Sequence, residues 1–236
     1  MEARNSFFFI HIYDIKQYIN SGERMRKIIQ IVLILCFSAS FASIEKETNN
    51  IIYIDPGHGG IDGGCQGKDG TKEKELNLEI SFILRELLEN LGFVTKMTRS
   101  GDYDLAENEQ NRKRADIDKR CSMINKSLLY ISIHVNEYHN ESASGAQVFY
   151  SNKNINNKKL ATCIQRNLIN ELNNTNRSEL EVKDKYLLNN IESPGCLVEV
   201  GFMSNSKELL LLKTSEYQEK ICYGIVLGIL DYINNI

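Results

Sequence analysis

Ile51-Ile52-Tyr53-Ile54-Asp55-Pro56-Gly57-His58-Gly59-Gly60 begins as a short apolar, β-branched run and breaks at Asp55-Pro56-Gly57 into a glycine-dense loop. That pattern reads as a buried strand delivering a loop. Outward from it, Leu76, Ile80, Ile83, Leu84, Leu87, Leu88 and Leu91 recur at helical spacing, and Gly92 closes the segment. Phe93–Met97 predicts a second strand, and Asn108–Asn125 a basic helix with a narrow stripe at Ile117, Cys121 and Ile124. Leu128–Ile133 predicts a third strand running into His134, Ala146–Tyr150 a fourth, and Lys158–Leu172 a helix. Asn173–Asp184 is polar and reads as a surface loop, with short strands at Lys185–Leu188 and Cys196–Val200. A last helix carries Tyr217, Ile221, Ile225, Gly228, Ile229 and Tyr232 on one side. Strands alternating with helices predict one α/β domain: a mostly parallel, twisted sheet of about six strands with helices on both faces.

Composition narrows the function classes. The 236 residues are 42% hydrophobic and 25% charged, enough for one sizeable core and against wholesale disorder. A net charge of −3 supplies no basic field for nucleic acid. Two prolines and no tryptophan exclude collagen-like and proline-rich readings. Cys36, Cys65, Cys121, Cys163, Cys196 and Cys222 form no CxxC pair and are spread too widely for a disulfide scaffold, so they read mostly as buried thiols.

The first fifty residues read as export. Met25-Arg26-Lys27, the apolar run Ile28–Phe37 and the small-residue stretch Ser38-Ala39-Ser40-Phe41-Ala42 make a secretory signal, too short for a comfortable membrane span. Residues 1–42 are therefore assigned to an upstream stretch plus a signal peptide or uncleaved N-terminal anchor, 43–50 to a linker, and 51–236 to the folded working domain. Met25 is the better-placed start. Cys36 invites a lipoprotein reading, but the bulky Leu35 before it argues against one. In either case the working part lies outside the cytoplasm, with membrane contact only through the N-terminal segment.

In open α/β sheets, sites form where loops leave the carboxyl ends of strands. Seven of the fifteen glycines lie between Pro56 and Gly70, which allows close backbone approach or positive φ. A phosphate cradle is disfavoured, because Asp62 stands where GxGxxG needs its third glycine and Gly67-Lys68-Asp69 lacks the P-loop Ser/Thr. His58 in the loop, Glu73 at the next helix start, and His134 emerging from an apolar strand each have a bland reading when taken singly. These are a surface histidine, a dipole-favoured helix carboxylate and a satisfied core histidine. Glu199 is different: a carboxylate inside Cys196-Leu197-Val198-Glu199-Val200 is expensive to bury without a partner or a task. Glu75, Glu79 and His139 read as solvated residues, and Asn136 as a turn-former with a secondary claim on substrate.

Taken together, His58, Glu73 and His134 supply the two nitrogens and one oxygen that catalytic zinc accepts, leaving a position for water. Glu199 would then be the carboxylate that carries the proton from water to a leaving amine. The spacing is not the compact HExxH arrangement, so alone it is weak evidence. No GxSxG elbow is present, and a thiol dyad of Cys65 or Cys196 with His134 has no supporting local pattern.

Four stretches in order, Ile54-Asp55-Pro56-Gly57-His58-Gly59-Gly60, Glu73-Lys74-Glu75-Leu76-Asn77-Leu78, Ile131-Ser132-Ile133-His134 and Val198-Glu199-Val200-Gly201-Phe202-Met203-Ser204-Asn205, resemble the zinc-dependent N-acetylmuramoyl-L-alanine amidases of the amidase-3 family. The resemblance implies one Zn2+ per chain held by His58, Glu73 and His134, with Glu199 catalytic. It also implies cleavage of the amide between the lactyl group of muramic acid and L-alanine of the peptidoglycan stem. Arg112-Lys113-Arg114-Ala115-Asp116, Arg120, Ile124-Asn125, Ser144–Tyr150, Tyr186-Leu187-Leu188 and Tyr217-Gln218-Glu219-Lys220 look like a sporulation and germination branch. That branch implies action on spore-cortex peptidoglycan, as the first step towards muramic-δ-lactam, in the space between forespore membranes or in the cell wall. Some relatives are activated by a partner protein. Two other readings stay open at this point: a non-catalytic peptidoglycan-binding or regulatory protein of the same fold, and a zinc peptidase on a related amide.

Overall fold

The computed structural model describes residues 50–107 and 109–235. The segment assigned to export or anchoring, and all but the last residue of the 43–50 linker, lie outside them. In chain order the elements are β1 (Ile51–Pro56), α1 (Glu73–Asn90), β2 (Val94–Met97), α2 (Arg112–Ile124), β3 (Leu129–Asn136) and β4 (Gln147–Tyr150). They continue with α3 (Ile155–Leu172), β5 (Leu180–Glu181), α4 (Tyr186–Asn190), β6 (Gly195–Phe202), α5 (Ser206–Leu212) and α6 (Ser215–Asn234). The six strands form one sheet in the order β2-β1-β3-β6-β4-β5. β2, β1, β3 and β6 are mutually parallel, β4 runs antiparallel to β6, and β5 lies parallel to β4.

The alternation of strand side chains builds two layers of core. Ile52, Ile54, Ile131, Ile133, Cys196 and Val198 are completely buried. They belong to the face covered by α1, α3 and α6, where Cys222 of α6 donates its thiol to the Ile80 carbonyl of α1 at 3.3 Å. Each such aliphatic side chain contributes roughly 1.5–3 kcal/mol by leaving water. On the opposite face Tyr130, Phe149 and Leu197 pack with Cys121 and Ile124 of α2, Leu188 of α4, and Ile191. Gly195 is required there, because a Cβ at that position would overlap the Tyr130 ring.

The single-domain, mostly parallel architecture with helices on both faces is the expected one. Several boundaries differ. The basic helix starts at Arg112 rather than Asn108, because Asn111 sits in the left-handed region at φ 53° and breaks the approach. α3 starts at Ile155 rather than Lys158, since the Asn154 side chain accepts from the Asn156 amide and caps it. Lys185–Leu188 is not a strand. Tyr186–Asn190 is a helical turn whose Asn189 amide donates to the Lys185 carbonyl at 3.2 Å, while Leu188 is buried in the core. A short apolar run does not distinguish a buried turn from a strand. The sheet edge beside β4 is taken instead by β5, inside the expected 173–184 loop. α5 is an element beyond those expected from the sequence, and Asn205 caps it by accepting from the Lys207 and Glu208 amides.

Candidate metal centre

β1, β3 and β6 release their chains at one end of the sheet, above the α2/α4 face. A cleft of about 310 Å³ opens there, with His58 and His134 in its wall. The β1–α1 loop is held in place by two buried guanidiniums. Arg99 donates to the carbonyls of Pro56 at 3.0 Å, Gly57 at 2.9 Å and Lys74 at 2.8 Å. Arg120 donates to the Pro56 carbonyl at 2.7 Å and the His58 carbonyl at 2.6 Å. Between them they occupy backbone acceptors that a non-repetitive loop would otherwise leave unpaired. Burial, with Arg120 beside it, pulls the Arg99 pKa down to about 10, which leaves it cationic at neutral pH.

Arg120 is itself counterbalanced by Asp55 at 2.8 Å and Asp116 at 2.6 Å. Burial alone would raise Asp55, but Arg120 and hydrogen bonds donated by Thr98 and Ser132 outweigh it and lower its pKa. With this support His58 adopts φ 63°, a left-handed conformation costly to a residue with a Cβ, by roughly 1–3 kcal/mol. That conformation turns the imidazole towards Glu73.

Glu73, the first residue of α1, is almost fully buried. Its two oxygens span the site: Oε2 lies 3.2 Å from His58 Nε2, and Oε1 lies 2.9 Å from His134 Nδ1. The carboxylate is further fixed by donors from the Cys65 amide at 3.0 Å, the Asn77 amide side chain at 3.2 Å and the Val135 amide at 3.2 Å. Burial opposes its ionisation, yet the hydrogen bonds from His134 and His58 hold its pKa well below the usual carboxylate range. Burial also works against His58, but the carboxylates of Asp62, 3.0 Å from Nδ1, and of Glu73 raise its pKa to about 9. Gly57 has to be glycine because a Cβ would run into the His134 ring.

The ligand-capable atoms of His58, Glu73 and His134 all lie within 4.8 Å of one another. Two imidazole nitrogens and one carboxylate oxygen, gathered this closely and open to a cleft on one side, fit a catalytic zinc. Asp62 behind His58 fits the outer carboxylate that orients a ligating histidine.

Glu199 faces the same group from β6. It is paired with His134 in the β3–β6 register, so the two side chains leave the sheet on the same face. It is 5% exposed, and among the described residues its Oε2 has no hydrogen-bond partner. Burial, with the Glu73 charge added, raises its pKa against the pull of His134 and Lys185. A buried carboxyl with an unpartnered oxygen, next to the cleft-lining His134, has the chemistry of a candidate acid–base group.

The remaining sequence candidates lie outside this group. Asn136 accepts from the Glu137 amide at 2.8 Å and serves the chain turn after β3. Glu75 accepts from the Lys72 amide, Glu79 from the Gln218 side chain at 3.0 Å, and His139 stacks against Tyr138. Cys65 donates its thiol to Glu73 at 3.2 Å, and burial raises its pKa, the reverse of what a nucleophilic thiolate needs. Cys196 is wholly buried and likewise raised. Arg99 and Asp62 escaped the sequence reading. Arg99 carried no signal beyond its charge, whereas Asp62, four residues after His58, was visible as the residue that disqualified a phosphate loop.

Fold and site together define a mostly parallel α/β domain whose candidate metal-binding and acid–base groups gather near the carboxyl ends of its parallel strands. The chain belongs to the Amidase_3 family of N-acetylmuramoyl-L-alanine amidases, whose family model matches residues 52–231. It is 40% identical over 215 residues to the germination-specific N-acetylmuramoyl-L-alanine amidase of Bacillus subtilis strain 168, covering 86% of this chain and 90% of that protein. Among solved structures it is similar to the CwlD amidase of Clostridioides difficile in complex with the GerS lipoprotein. That match has a TM-score of 0.75 and 37% identity, and covers 80% of this chain and all of that one. The N-acetylmuramoyl-L-alanine amidase of Clostridium difficile 630 aligns with a TM-score of 0.71 and 27% identity, over 79% of this chain and 98% of that one. The protein is thus an amidase of peptidoglycan.

Proposed function

We propose that the protein hydrolyses the amide between the lactyl group of N-acetylmuramic acid and L-alanine of the stem peptide, with one zinc ion held by His58, Glu73 and His134 and with Glu199 as the catalytic acid–base. The observation that carries this reading is the grouping of those three ligand types within 4.8 Å, faced by a buried carboxyl with an unsatisfied oxygen. Bound there, zinc would supply Lewis acidity towards the amide carbonyl and would make water a competent nucleophile near neutral pH. The chain's own residues do the rest. Glu199 takes the proton from the attacking water and returns it to the departing alanine nitrogen, which leaves as an amine. Its buried setting suits the role, because a raised pKa lets one carboxyl first accept and then donate. Asp62 and the Gly57 contact hold the two imidazoles in orientation, and Arg99 and Arg120 keep the loop that carries His58 from collapsing into the cleft.

The substrate assigned is spore-cortex peptidoglycan, with removal of the stem peptide as the first step towards muramic-δ-lactam. Support comes from the germination-specific relative, aligned over 90% of its length, and from the likeness to CwlD. Residues 1–42 would export the domain or anchor it at the membrane surface. Among the described residues no helix is long and apolar enough to cross a membrane. Because the CwlD amidase was solved with a lipoprotein, we assign this chain a partner protein too. The test is mass spectrometry of peptides released from cortex peptidoglycan by zinc-loaded Ser43–Ile236, with and without a forespore extract. Stem peptides with an intact N-terminal L-alanine support the reading. Shorter peptides would make the protein a zinc peptidase, and no release under either condition would leave a binding or regulatory protein.

A further inference from the structure

The cleft that holds His58 and His134 is also lined by four cations, and three of them are matched. Arg112 is engaged by Asp104, with contacts from Nε at 2.9 and 3.0 Å. Arg120 is engaged by Asp55 and Asp116. Lys113 stands mostly in solvent, 3.6 Å from Asp62. Lys185 is the exception. It is a part-buried residue that lines the cleft, and among the described residues no carboxylate lies within ion-pairing distance of it. A cation that lines a cleft without a counter-charge is free to receive an anionic ligand by a charge-assisted hydrogen bond.

Lys185 is also held where it stands. It immediately precedes α4, whose Leu188 is in the core. Ser151 donates to the Leu188 carbonyl at 2.6 Å, and Asn189 donates to the Lys183 carbonyl at 2.9 Å. The Arg114 guanidinium stacks 3.3 Å over the ring of the adjacent Tyr186. The backbone under Lys185 is therefore fixed before substrate arrives, so little ordering is left to pay for on binding.

The geometry points to Lys185 as a substrate-binding residue that receives a free carboxylate of the stem peptide, one or two residues beyond the scissile amide, and so makes the enzyme selective for acidic over amidated stems. This rests on the amidase reading above. One or two residues of extended chain span up to about 7 Å, a reach that fits within a single cleft. Lys185 also bears electrostatically on Glu199. A role confined to that carboxyl would appear in turnover rather than in discrimination between substrates.

The experiment compares two muropeptides that differ only in whether the second stem residue carries a carboxylate or a carboxamide. Both are cleaved by the zinc-loaded domain and by its Lys185→Met and Lys185→Arg variants, each checked for metal content and melting temperature. Wild type is expected to show a KM about tenfold to a hundredfold lower for the carboxylate form, the range of a charge-assisted hydrogen bond. In Lys185→Met the two KM values converge, with the change in KM rather than kcat, and Lys185→Arg keeps most of the difference. Equal KM values in wild type, or a preference that survives in Lys185→Met, would overturn the inference, as would a loss confined to kcat. Cleavage of neither muropeptide by wild type would bring down the amidase reading first and the inference with it. Should Lys185→Met fail to fold, the wild-type comparison and Lys185→Arg still decide the matter.

Discussion

His134 and Glu199 are register partners across the β3–β6 ladder, and this pairing places an imidazole and a buried carboxyl side by side on one face of the sheet. Neighbouring parallel strands make the spacing rigid, because both side chains leave from backbone fixed by the ladder hydrogen bonds. The third and fourth groups come from less regular backbone, the β1–α1 loop and the start of α1. That is where the supporting contacts from Arg99, Arg120, Cys65 and Asn77 concentrate.

Removing the metal should stop turnover without unfolding the domain, since the two core layers do not involve the site. Treatment with a strong chelator is expected to abolish peptide release, and one equivalent of zinc to restore it. His58→Ala and His134→Ala should each weaken zinc retention by orders of magnitude with near-native circular dichroism. Unchanged metal content in both variants would show the ligand set to be wrong.

Gly57→Ala separates site geometry from stability. The added methyl would run into the His134 ring, so the imidazole must move or the loop must shift. Loss of an orienting contact around a metal typically costs about 10–100-fold in affinity or activity. Competition with a chromophoric chelator should show a drop of that size with only a modest change in melting temperature; an affinity equal to wild type would contradict the close approach.

Acid sensitivity should trace in part to Asp55. Its pKa in the folded protein is lowered, chiefly by Arg120 working against burial, so its contribution to stability is present above its unfolded value near 4. That contribution is lost as pH falls through the lower folded value. Asp55→Asn leaves Arg120 short of a buried counter-charge and should cost about 3–5 kcal/mol at pH 7. Urea unfolding at pH 7 and pH 3 should show the gap between wild type and variant narrowing in acid. A gap that stayed constant would mean Asp55 is not ionised in the native state.

The thiols should be inert. Cys65, Cys121, Cys163, Cys196 and Cys222 form no disulfide, and burial raises the pKa of Cys196 and Cys222, which are fully enclosed. A thiol-reactive dye is expected to modify Cys196 and Cys222 only on unfolding, as mapped by peptide mass. Rapid labelling of either in the native protein would contradict this packing.

Much of the fold was legible because its signals are local: β-branched runs for β1 and β3, and i, i+4 apolar spacing for α1 and α6. The candidate site was legible as a group because His58, Glu73 and His134 stand beside predicted strand and helix ends and Glu199 inside an apolar strand. What escaped depended on tertiary context. Lys185–Leu188 is apolar enough for a strand, but the edge position it would have filled belongs to Leu180–Glu181, which are both exposed and carry no strand signal. Arg99 reads as any charged residue after β2, and its role as a clamp on the β1–α1 loop exists only because β1 and β2 are neighbours. Lys185 gains its significance from having no carboxylate within ion-pairing distance among the described residues, a property of the folded cleft.

In the proposed mechanism Glu199 moves the proton while His58, Glu73 and His134 hold the metal. The most direct measurement is zinc content and turnover on the same samples of wild type and Glu199→Gln. Under this mechanism both hold one zinc per chain, equal within error, and turnover is lower by about 10²–10⁴-fold in the variant. Turnover near wild type in zinc-loaded Glu199→Gln would contradict it.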